Sequence, residues 1–485
     1  MGVVVSQSFK NIISTYLGFF IGAINTLFLY TEFLSDDYYG MVGYMLSLAY
    51  VVMPLMAFGM HNTLVKFYST FKSRISLNSF LTLMLVLPFL IIVPLMLVTY
   101  VGYDTIVGFL SKKNEIIRDY LWHTFIIAIA LAYFEVFFAW AKVQMQTVFG
   151  NFMKEVFHRV GAMILLFLLH FKVINVEQFM AGLVLVYVLR MLVMNVYAFN
   201  VKLPVIMFKR VPNLRNIFKY SFLIIIAGSI ATILLDVDKV MLGYYIDIKE
   251  IAYYNVAIFI ATVIAVPQRA MHQIMLPMSA KYLNEKDYAS LEDLYKKSSL
   301  NLFIVGGFIF LLIVLNINQL YLIIPKEFSV GLLVVFMISF TKLYDNALGN
   351  NNAILFNSDY YRVVLVLGVF LVILMILLNI VFIPILGING AGIATFLAVF
   401  VYNSIKLYFV YKKFNMVPFT KATLKIAVLL VLSIILFYFW EFSFNPIINI
   451  GLKSMLVTMF YVLVVYRFNF SQDISLLIKK YLKLK

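Results

Sequence analysis

The 485-residue sequence contains no cysteine, which excludes disulfide bonds, cysteine-ligated metals and thiol nucleophiles. Charged residues are also scarce: they make up 12% of the chain, whereas a soluble protein has about 25%. The histidines are far apart and form neither an HxxxH nor an HExxH pair. We therefore predict no metal site and no cofactor; the five histidines are His61, His123, His158, His170 and His272.

Apolar residues, by contrast, make up 64% of the chain, which is more than soluble domains normally carry. A helix needs roughly 20 apolar residues to cross a bilayer. The sequence therefore predicts an all-α polytopic membrane protein with about 14 transmembrane helices. The predicted spans are residues 11–31, 40–65, 79–101, 119–141, 156–171, 176–200, 217–243, 251–276, 298–320, 329–350, 361–383, 389–411, 422–440 and 447–466.

The net charge of +16 comes from 38 Lys and Arg residues against 22 Asp and Glu residues. We set aside four cations within spans (Arg190, Lys239, Arg269 and Lys342) and assign each of the others to the nearer side of alternating spans; 27 of the 38 then fall on the side of the N-terminus and 7 on the opposite side. Lys and Arg are enriched in cytoplasmic loops, so both termini are predicted to be cytoplasmic. Because these charges are separated by apolar runs, they indicate membrane topology and do not favour nucleic acid as a partner.

The predicted loops leave little room for a catalytic domain, since the longest outer loop, residues 102–118, has only 17 residues. Membrane glycosyltransferases, polymerases and ligases usually carry a larger loop or domain. Asp236 and Asp238 have the spacing of a DxD metal–sugar-nucleotide motif, but they lie within the seventh predicted span towards the outer face. The sequence therefore favours a transporter over an enzyme, with an envelope polysaccharide polymerase or ligase as the weakest alternative.

An internal repeat indicates how the spans are organised. Residues 36–54 and 249–267 each contain a charged pair, a Tyr pair, an apolar run and a proline at matching offsets, 213 residues apart. Each copy lies at the outer loop and second span of a six-helix unit, which predicts a parallel pseudo-repeat. We expect a six-helix lobe over residues 1–205, a second over 206–415, and two extra helices with a cytoplasmic tail over 416–485.

Three stretches resemble the MOP exporter superfamily, and within it the O-antigen flippase-like transporters of polysaccharides and lipid-linked oligosaccharides. Residues 14–18 (STYLG) and 33–40 (FLSDDYYG) are similar to the first span and turn of these proteins. Residues 238–243 (DKVMLG) and 252–257 (AYYNVA) are similar to a central motif. Residues 379–395 (NIVFIPILGINGAGIAT) are similar to a signature near the end. The match runs in order along nearly the whole chain.

This resemblance implies a V-shaped pair of six-helix lobes that works by alternating access in the bacterial inner membrane. The implied substrate is a polyprenyl-diphosphate-linked oligosaccharide, carried to the outer leaflet for polysaccharide biosynthesis. Besides this substrate, the implied partners are membrane lipids and proteins of polysaccharide assembly. The alternative within the superfamily is a cation-coupled multidrug antiporter, which usually concentrates carboxylates in one lobe.

Ionisable residues within the spans are the candidate site, because a buried charge normally faces a cavity or a partner. Counting about 1.5 Å per residue places five of them in the inner half of the membrane. Their functional interpretation is a cationic patch of Arg190, Arg269 and Lys342 for the diphosphate, with Glu135 and Asp345 in coupling or gating. The structural alternatives are pairing of Lys342 with Asp345 and, for Arg269, extension towards the lipid headgroups.

Three further charges lie near the outer end of the seventh predicted span. Asp236, Asp238 and Lys239 form either a local charge pair or an outer gate between the lobes. The acid nearest to Arg190 in the sequence is Glu177, which is 13 positions away. Arg190 therefore has no local partner at i,i+3 or i,i+4.

Overall fold

The computed structural model describes residues 2–482, and the side chains of residues 7, 10–225, 230, 236–272, 274–360, 362–476, 478 and 479. The described chain is helical and contains no strand. It divides into two compact units, residues 1–255 and 256–485. The helices of the first unit are α1 Gly2–Ile24, α2 Tyr30–Phe33, α3 Asp36–Ala57, α4 Met60–Phe67, α5 Arg74–Val101, α6 Tyr103–Leu110, α7 Ile116–Lys142, α8 Val148–Phe152, α9 His158–His170, α10 Val176–Val201 and α11 Leu214–Tyr245.

Helix α12 (Ile248–Thr262) crosses the boundary between the two units. Asp287 precedes helix α14 (Tyr288–Leu320) and caps it, since its carboxylate accepts a hydrogen bond of 3.0 Å from the backbone N–H of Ser290. Hydrogen bonding from the Ser290 side chain, and to a lesser extent from its backbone N–H, holds the pKa of Asp287 below its ordinary value, because it stabilises the ionised form. The other helices of the second unit are α13 Val266–Asn284, α14 Tyr288–Leu320, α15 Leu332–Ala347, α16 Asn351–Asn357, α17 Tyr361–Phe414, α18 Lys421–Phe437, α19 Pro446–Arg467 and α20 Gln472–Leu482.

The predicted polytopic all-α class is confirmed, and each predicted span is mostly helical. Ten helical stretches of the described chain are long and apolar enough to cross a membrane. One of them, Arg362–Phe414, covers two predicted spans in a single stretch of 53 residues. Another predicted span, 422–440, corresponds to the 17-residue helix α18. The number of 14 crossings and the lobe bounds at 205 and 415 stay predictions.

The predicted span 40–65 is interrupted between α3 and α4. Phe58 and Gly59 both have left-handed backbone conformations, with φ of 47° and 66°. Glycine adopts this conformation without strain because it has no Cβ atom. A Cβ atom at Gly59 would also lie 2.8 Å from the carbonyl oxygen of Ser221 on α11. The break therefore allows α4 and α11 to approach closely.

Helix α17 is a hairpin of two helices. Its only non-helical residue is Gly387, with φ of 58° and ψ of −134°, a combination that is essentially restricted to glycine. Two contacts show that the chain folds back on itself: a Cβ atom at Gly390 would clash with the carbonyl oxygen of Phe382, and Thr395 Oγ1 lies 3.8 Å from Met375 Sδ. Gly387 turns the chain, and Pro384, three residues before it, lacks the N–H that would bond to the preceding helical turn.

Each unit has its own apolar core. In the first unit α7 packs against α3 and α10, and its Phe134, Phe138 and Trp140 are buried with Phe80 of α5. In the second unit α14 packs against α15, α18 and α19, and Tyr461 donates a hydrogen bond of 2.9 Å to the carbonyl oxygen of Ile304. The two C-terminal helices therefore form part of the second unit's core.

Candidate functional site

An ion pair in the first unit joins α7 to the segment before α9. Lys154 Nζ lies 2.5 Å from Glu135 Oε1. The Glu135 side chain is 13% exposed and that of Lys154 is 42% exposed. The lysine therefore remains accessible while its carboxylate partner is largely buried.

Lys154 owes its position to a π-helical turn, Met153–Phe157, between α8 and α9. A second π-helical turn, Asn25–Leu29, lies between α1 and α2. Asn25 Nδ2, in this second turn, donates a hydrogen bond of 2.8 Å to the carbonyl oxygen of Arg159, near the start of α9. A π-turn contains one more residue per turn than an α-helix, and such turns are frequent at functional sites.

Arg190 lies on α10, close to the same ion pair. Its side chain is 2% exposed, and its guanidinium stacks 4.0 Å from the centre of the Phe134 ring. The Nε and Nη1 atoms have no hydrogen-bond acceptor among the described residues. No carboxylate of the described chain forms an ion pair with it either. Burial of a guanidinium without a carboxylate is costly, so this residue is unusual.

We call the charged residues around this point the basic cluster. Arg159 pairs with Glu155 at 3.8 Å, and Lys142 Nζ stacks 3.8 Å from the Phe138 ring. Lys142 and Arg190 both interact electrostatically with the Glu135–Lys154 pair. Four cations against two carboxylates leave the cluster with a formal charge of +2. Its members are Glu135, Lys142, Lys154, Glu155, Arg159 and Arg190.

A second polar cluster lies in the second unit, where α15 meets the C-terminal half of α17. The Asp345 carboxylate accepts a hydrogen bond from Asn403 Nδ2. Lys406 is 2% exposed; its Nζ donates to Asn352 Oδ1 at 2.8 Å and lies 4.1 Å from the Tyr402 ring. This cluster contains a buried cation and a carboxylate that interact electrostatically.

The other two predicted cations are placed differently from Arg190. Lys342 is half-buried on α15 and forms no ion pair with Asp345 within the described chain, so the predicted i,i+3 pairing is not formed. Arg269 is exposed on α13. Of the three predicted substrate-binding cations, Arg190 belongs to the basic cluster of the first unit, whereas Lys342 and Arg269 belong to the second unit.

The charges at the predicted outer end of α11 are held by α3 and α12. The Asp236 carboxylate accepts a hydrogen bond of 2.8 Å from Ser47 and lies 3.3 Å from Lys239 Nζ. Asp238 is buried and accepts a hydrogen bond of 2.7 Å from the Tyr254 hydroxyl. The local charge pair is therefore present, and it is also bonded to a neighbouring helix.

Two more contacts join the same elements at the predicted outer end. The Tyr253 hydroxyl donates to Asp36 at 2.7 Å, which bonds the start of α12 to the start of α3. Asn114 donates to the carbonyl oxygens of Gly243 and Ile246 and accepts from the N–H of Ile248. This single amide therefore caps the end of α11 and the start of α12.

The sequence prediction missed Lys154 and Lys406 as site residues. Hydropathy placed Lys154 in a loop and assigned Lys406 to the edge of a span, although the structure places each beside a predicted carboxylate, Glu135 or Asp345. The signal in the sequence was the position of each lysine: Lys154 is two residues from a predicted span, and Lys406 lies inside one. It is a weak signal, because lysines at span ends usually extend to the headgroups.

Comparison with solved structures identifies the fold. The lipid II flippase MurJ in an inward closed conformation matches with a TM-score of 0.72 and 15% identity, over 96% of this chain and all of that chain. An inward-facing multidrug MATE transporter of the MOP superfamily matches with a TM-score of 0.59 and 12% identity, over 86% and 95%. A mutant of the Vibrio cholerae MATE transporter VcmN matches with a TM-score of 0.58 and 12% identity, over 85% and 98%.

Comparison of the sequence with curated proteins finds no match. The polysaccharide biosynthesis protein family, however, matches residues 5–283, which is more than half of the chain. This range contains the whole basic cluster and the charges of α11. The predicted membership of the MOP superfamily is thereby confirmed. The chain belongs to the polysaccharide biosynthesis protein family, and it is a multi-pass membrane transporter of the MOP exporter superfamily.

Proposed function

We propose that this transporter moves a polyprenyl-diphosphate-linked oligosaccharide across the cytoplasmic membrane for polysaccharide biosynthesis, and that the basic cluster receives the diphosphate. The observation that carries the proposal is Arg190, a buried guanidinium without a carboxylate partner in the described chain. A cation in such a place is stabilised when an anion approaches. A diphosphate is an anion with several acceptor oxygens.

Within the cluster, the accessible and the buried cations have different roles. Lys154 is 42% exposed and is the group that contacts the diphosphate first. Arg190 adds a positive charge close behind it, and this charge acts strongly because the surroundings have a low dielectric constant. Guanidinium groups also bind phosphate through two parallel hydrogen bonds, which an ammonium group does not offer.

A cation-coupled antiporter is the second candidate, and the placement of the carboxylates favours it less. Glu135 is bonded to Lys154, Asp236 to Lys239 and Asp345 to Asn403, so these predicted coupling groups already have partners. MurJ and the MATE transporters share only the fold with this chain at 15% and 12% identity. The basic cluster's excess of cations is better matched to an anionic substrate.

The proposal includes a topology and a class of protein. Both termini lie in the cytoplasm, as the Lys and Arg distribution indicates, and the chain acts as a transporter and not as an enzyme. The basic cluster then opens towards the cytoplasm, where the lipid-linked substrate is loaded. Proteins of polysaccharide assembly supply and use the substrate.

The test compares Arg190→Lys with Arg190→Gln in a host that depends on this transporter for surface polysaccharide. We expect Arg190→Lys to retain partial export, because the charge remains while the paired hydrogen bonds are lost. We expect Arg190→Gln to lose most export yet accumulate normally in the membrane, because a buried charge is removed. The measurement is surface polysaccharide per unit of membrane-inserted protein.

Lys453→Gln provides the matched control. Lys453 is another buried cation, 1% exposed, but it lies in the second unit and donates to the carbonyl oxygen of Tyr438 at 3.3 Å. We expect its neutralisation to leave export per molecule unchanged. Normal export by Arg190→Gln would refute the proposed role in diphosphate binding.

A further inference from the structure

We propose that the first unit contains a binding site for an anionic phospholipid between α5 and the segment that follows α10. This segment, residues 202–213, is called the strap. A groove of 710 Å³ separates the strap from α5. Its walls are residues 207–215 on one side and Ser79, Leu83, Val86 and Leu90 on the other.

The strap is extended and bonded to its neighbours at regular intervals. Thr82 Oγ1 donates to the carbonyl oxygen of Val205 at 3.3 Å and accepts from the N–H of Met207 at 3.0 Å. Ser79 Oγ accepts from the N–H of Lys209 at 3.2 Å. Alternate residues of the strap are thus held on polar side chains near the start of α5, which fixes one wall of the groove.

Residues before and between these attachment points present apolar side chains outwards. Leu203, Ile206 and Phe208 are 74%, 73% and 78% exposed. Large exposed apolar side chains next to basic residues are typical of segments that lie in the membrane–water interface. The strap is therefore positioned where lipid headgroups and hydrocarbon meet.

The basic residues of the groove lack acidic partners. Lys209, Arg210 and Arg215 are exposed, and none forms an ion pair in the described chain. The two sequence segments that build the groove, residues 38–103 and 178–235, contain no Asp or Glu at all. Three uncompensated cations at one end of the groove match an anionic group.

The other end of the groove is apolar and runs into the membrane. Leu83, Val86 and Leu90 have the i, i+3, i+7 spacing that places them on one face of α5. From Ser79 to Leu90 this face extends about 16 Å along a helix that is apolar enough to cross the bilayer. A soluble anion would not contact this apolar wall, whereas the acyl chain of a phospholipid packs along it.

The test measures binding of dioleoylphosphatidylglycerol to the purified full chain in neutral detergent, by titration followed with native mass spectrometry. Dioleoylphosphatidylcholine and glycerol 3-phosphate are the other two ligands. We expect phosphatidylglycerol to bind at least about 10-fold more tightly than either, since each basic residue near a membrane surface contributes to binding of anionic lipid. Equal binding of the two lipids, or full competition by glycerol 3-phosphate, would overturn the proposal.

Two variants locate the site. In Lys209→Gln/Arg210→Gln/Arg215→Gln, affinity for phosphatidylglycerol should fall about 100-fold. Leu90→Trp keeps every charge but fills the apolar end of the groove, and should weaken the same binding several-fold. Leu90 is 55% exposed, so this change is compatible with folding.

The matched control is Lys412→Gln/Lys421→Gln/Lys425→Gln, which removes three exposed cations from the second unit. It should bind phosphatidylglycerol like the unchanged protein. Equal losses in the strap variant and this control would indicate a general charge effect and refute a site. Unchanged binding of phosphatidylglycerol by Leu90→Trp would refute the placement of the lipid in the groove. This result does not depend on whether the strap variant folds.

Discussion

The Glu135–Lys154 pair allows a prediction about which partner costs more to remove. Lys154→Gln leaves the Glu135 carboxylate, which is 13% exposed, without its ion-pair partner. Glu135→Gln leaves an ammonium group that is 42% exposed and can turn towards water. We therefore expect Lys154→Gln to lower the free energy of unfolding by about 2 kcal/mol, and Glu135→Gln by about 1 kcal/mol.

The size of the first effect is limited by a neighbour. Removing one partner of a fully buried pair costs about 3–5 kcal/mol. Lys142 interacts electrostatically with Glu135 and partly replaces Lys154, and the exposure of Lys154 weakens the original pair. In the double variant neither charge is stranded, so the loss should be smaller than the sum of the single losses.

The assay is unfolding of the detergent-solubilised protein by SDS, followed by circular dichroism. Lys296→Gln is the control, because Lys296 and Glu292 also pair at 2.5 Å but are 39% and 38% exposed. Removal of that surface pair should cost only about 0.3–0.5 kcal/mol. A larger loss for Glu135→Gln than for Lys154→Gln would refute the reasoning from burial.

Three further predictions follow from the fold. Gly387→Ala should lower the free energy of unfolding in SDS by about 1–3 kcal/mol, because alanine is strained at the φ and ψ of Gly387. Gly108→Ala is the control and should not destabilise the protein, because a Cβ atom at Gly108 meets nothing within 4 Å. Tyr253→Phe should cost about 1.5 kcal/mol in the same assay through loss of the bond to Asp36, and an unchanged midpoint would contradict this. In intact cells, an impermeant thiol reagent should label Cys placed at the exposed Lys112 but not at the exposed Gln472; the reverse would invert the topology.

The sequence was informative about the fold because the transfer of apolar side chains into the membrane depends on residues that are neighbours in the chain. Runs of apolar residues predict membrane helices, and each predicted span is mostly helical. The reversal at Gly387 also has a local cause, since Pro384 and Gly387 are three residues apart. The π-helical turns, in contrast, have no residue type that marks them, so the position of Lys154 was not predictable.

The candidate site was predictable only in part, for a physical reason. Absence of a nearby acid marked Arg190 as unusual, and this property depends on sequence distance alone. The pairing of Glu135 with Lys154 spans 19 residues, and that of Asp345 with Asn403 spans 58. Such contacts depend on how helices pack, which hydropathy does not specify.

The hairpin at Gly387 also affects how this part of the chain enters the bilayer during synthesis. No charged residue occurs between Arg362 and Lys406, so the tip of the hairpin carries no Lys or Arg to be held back by the translocation machinery. All orientation signals lie at its two ends, which are on the same side of the membrane in a hairpin. The two helices, 53 residues in all, are therefore expected to insert together as one unit. Their orientation is then set once, by the charges at the two ends of the hairpin.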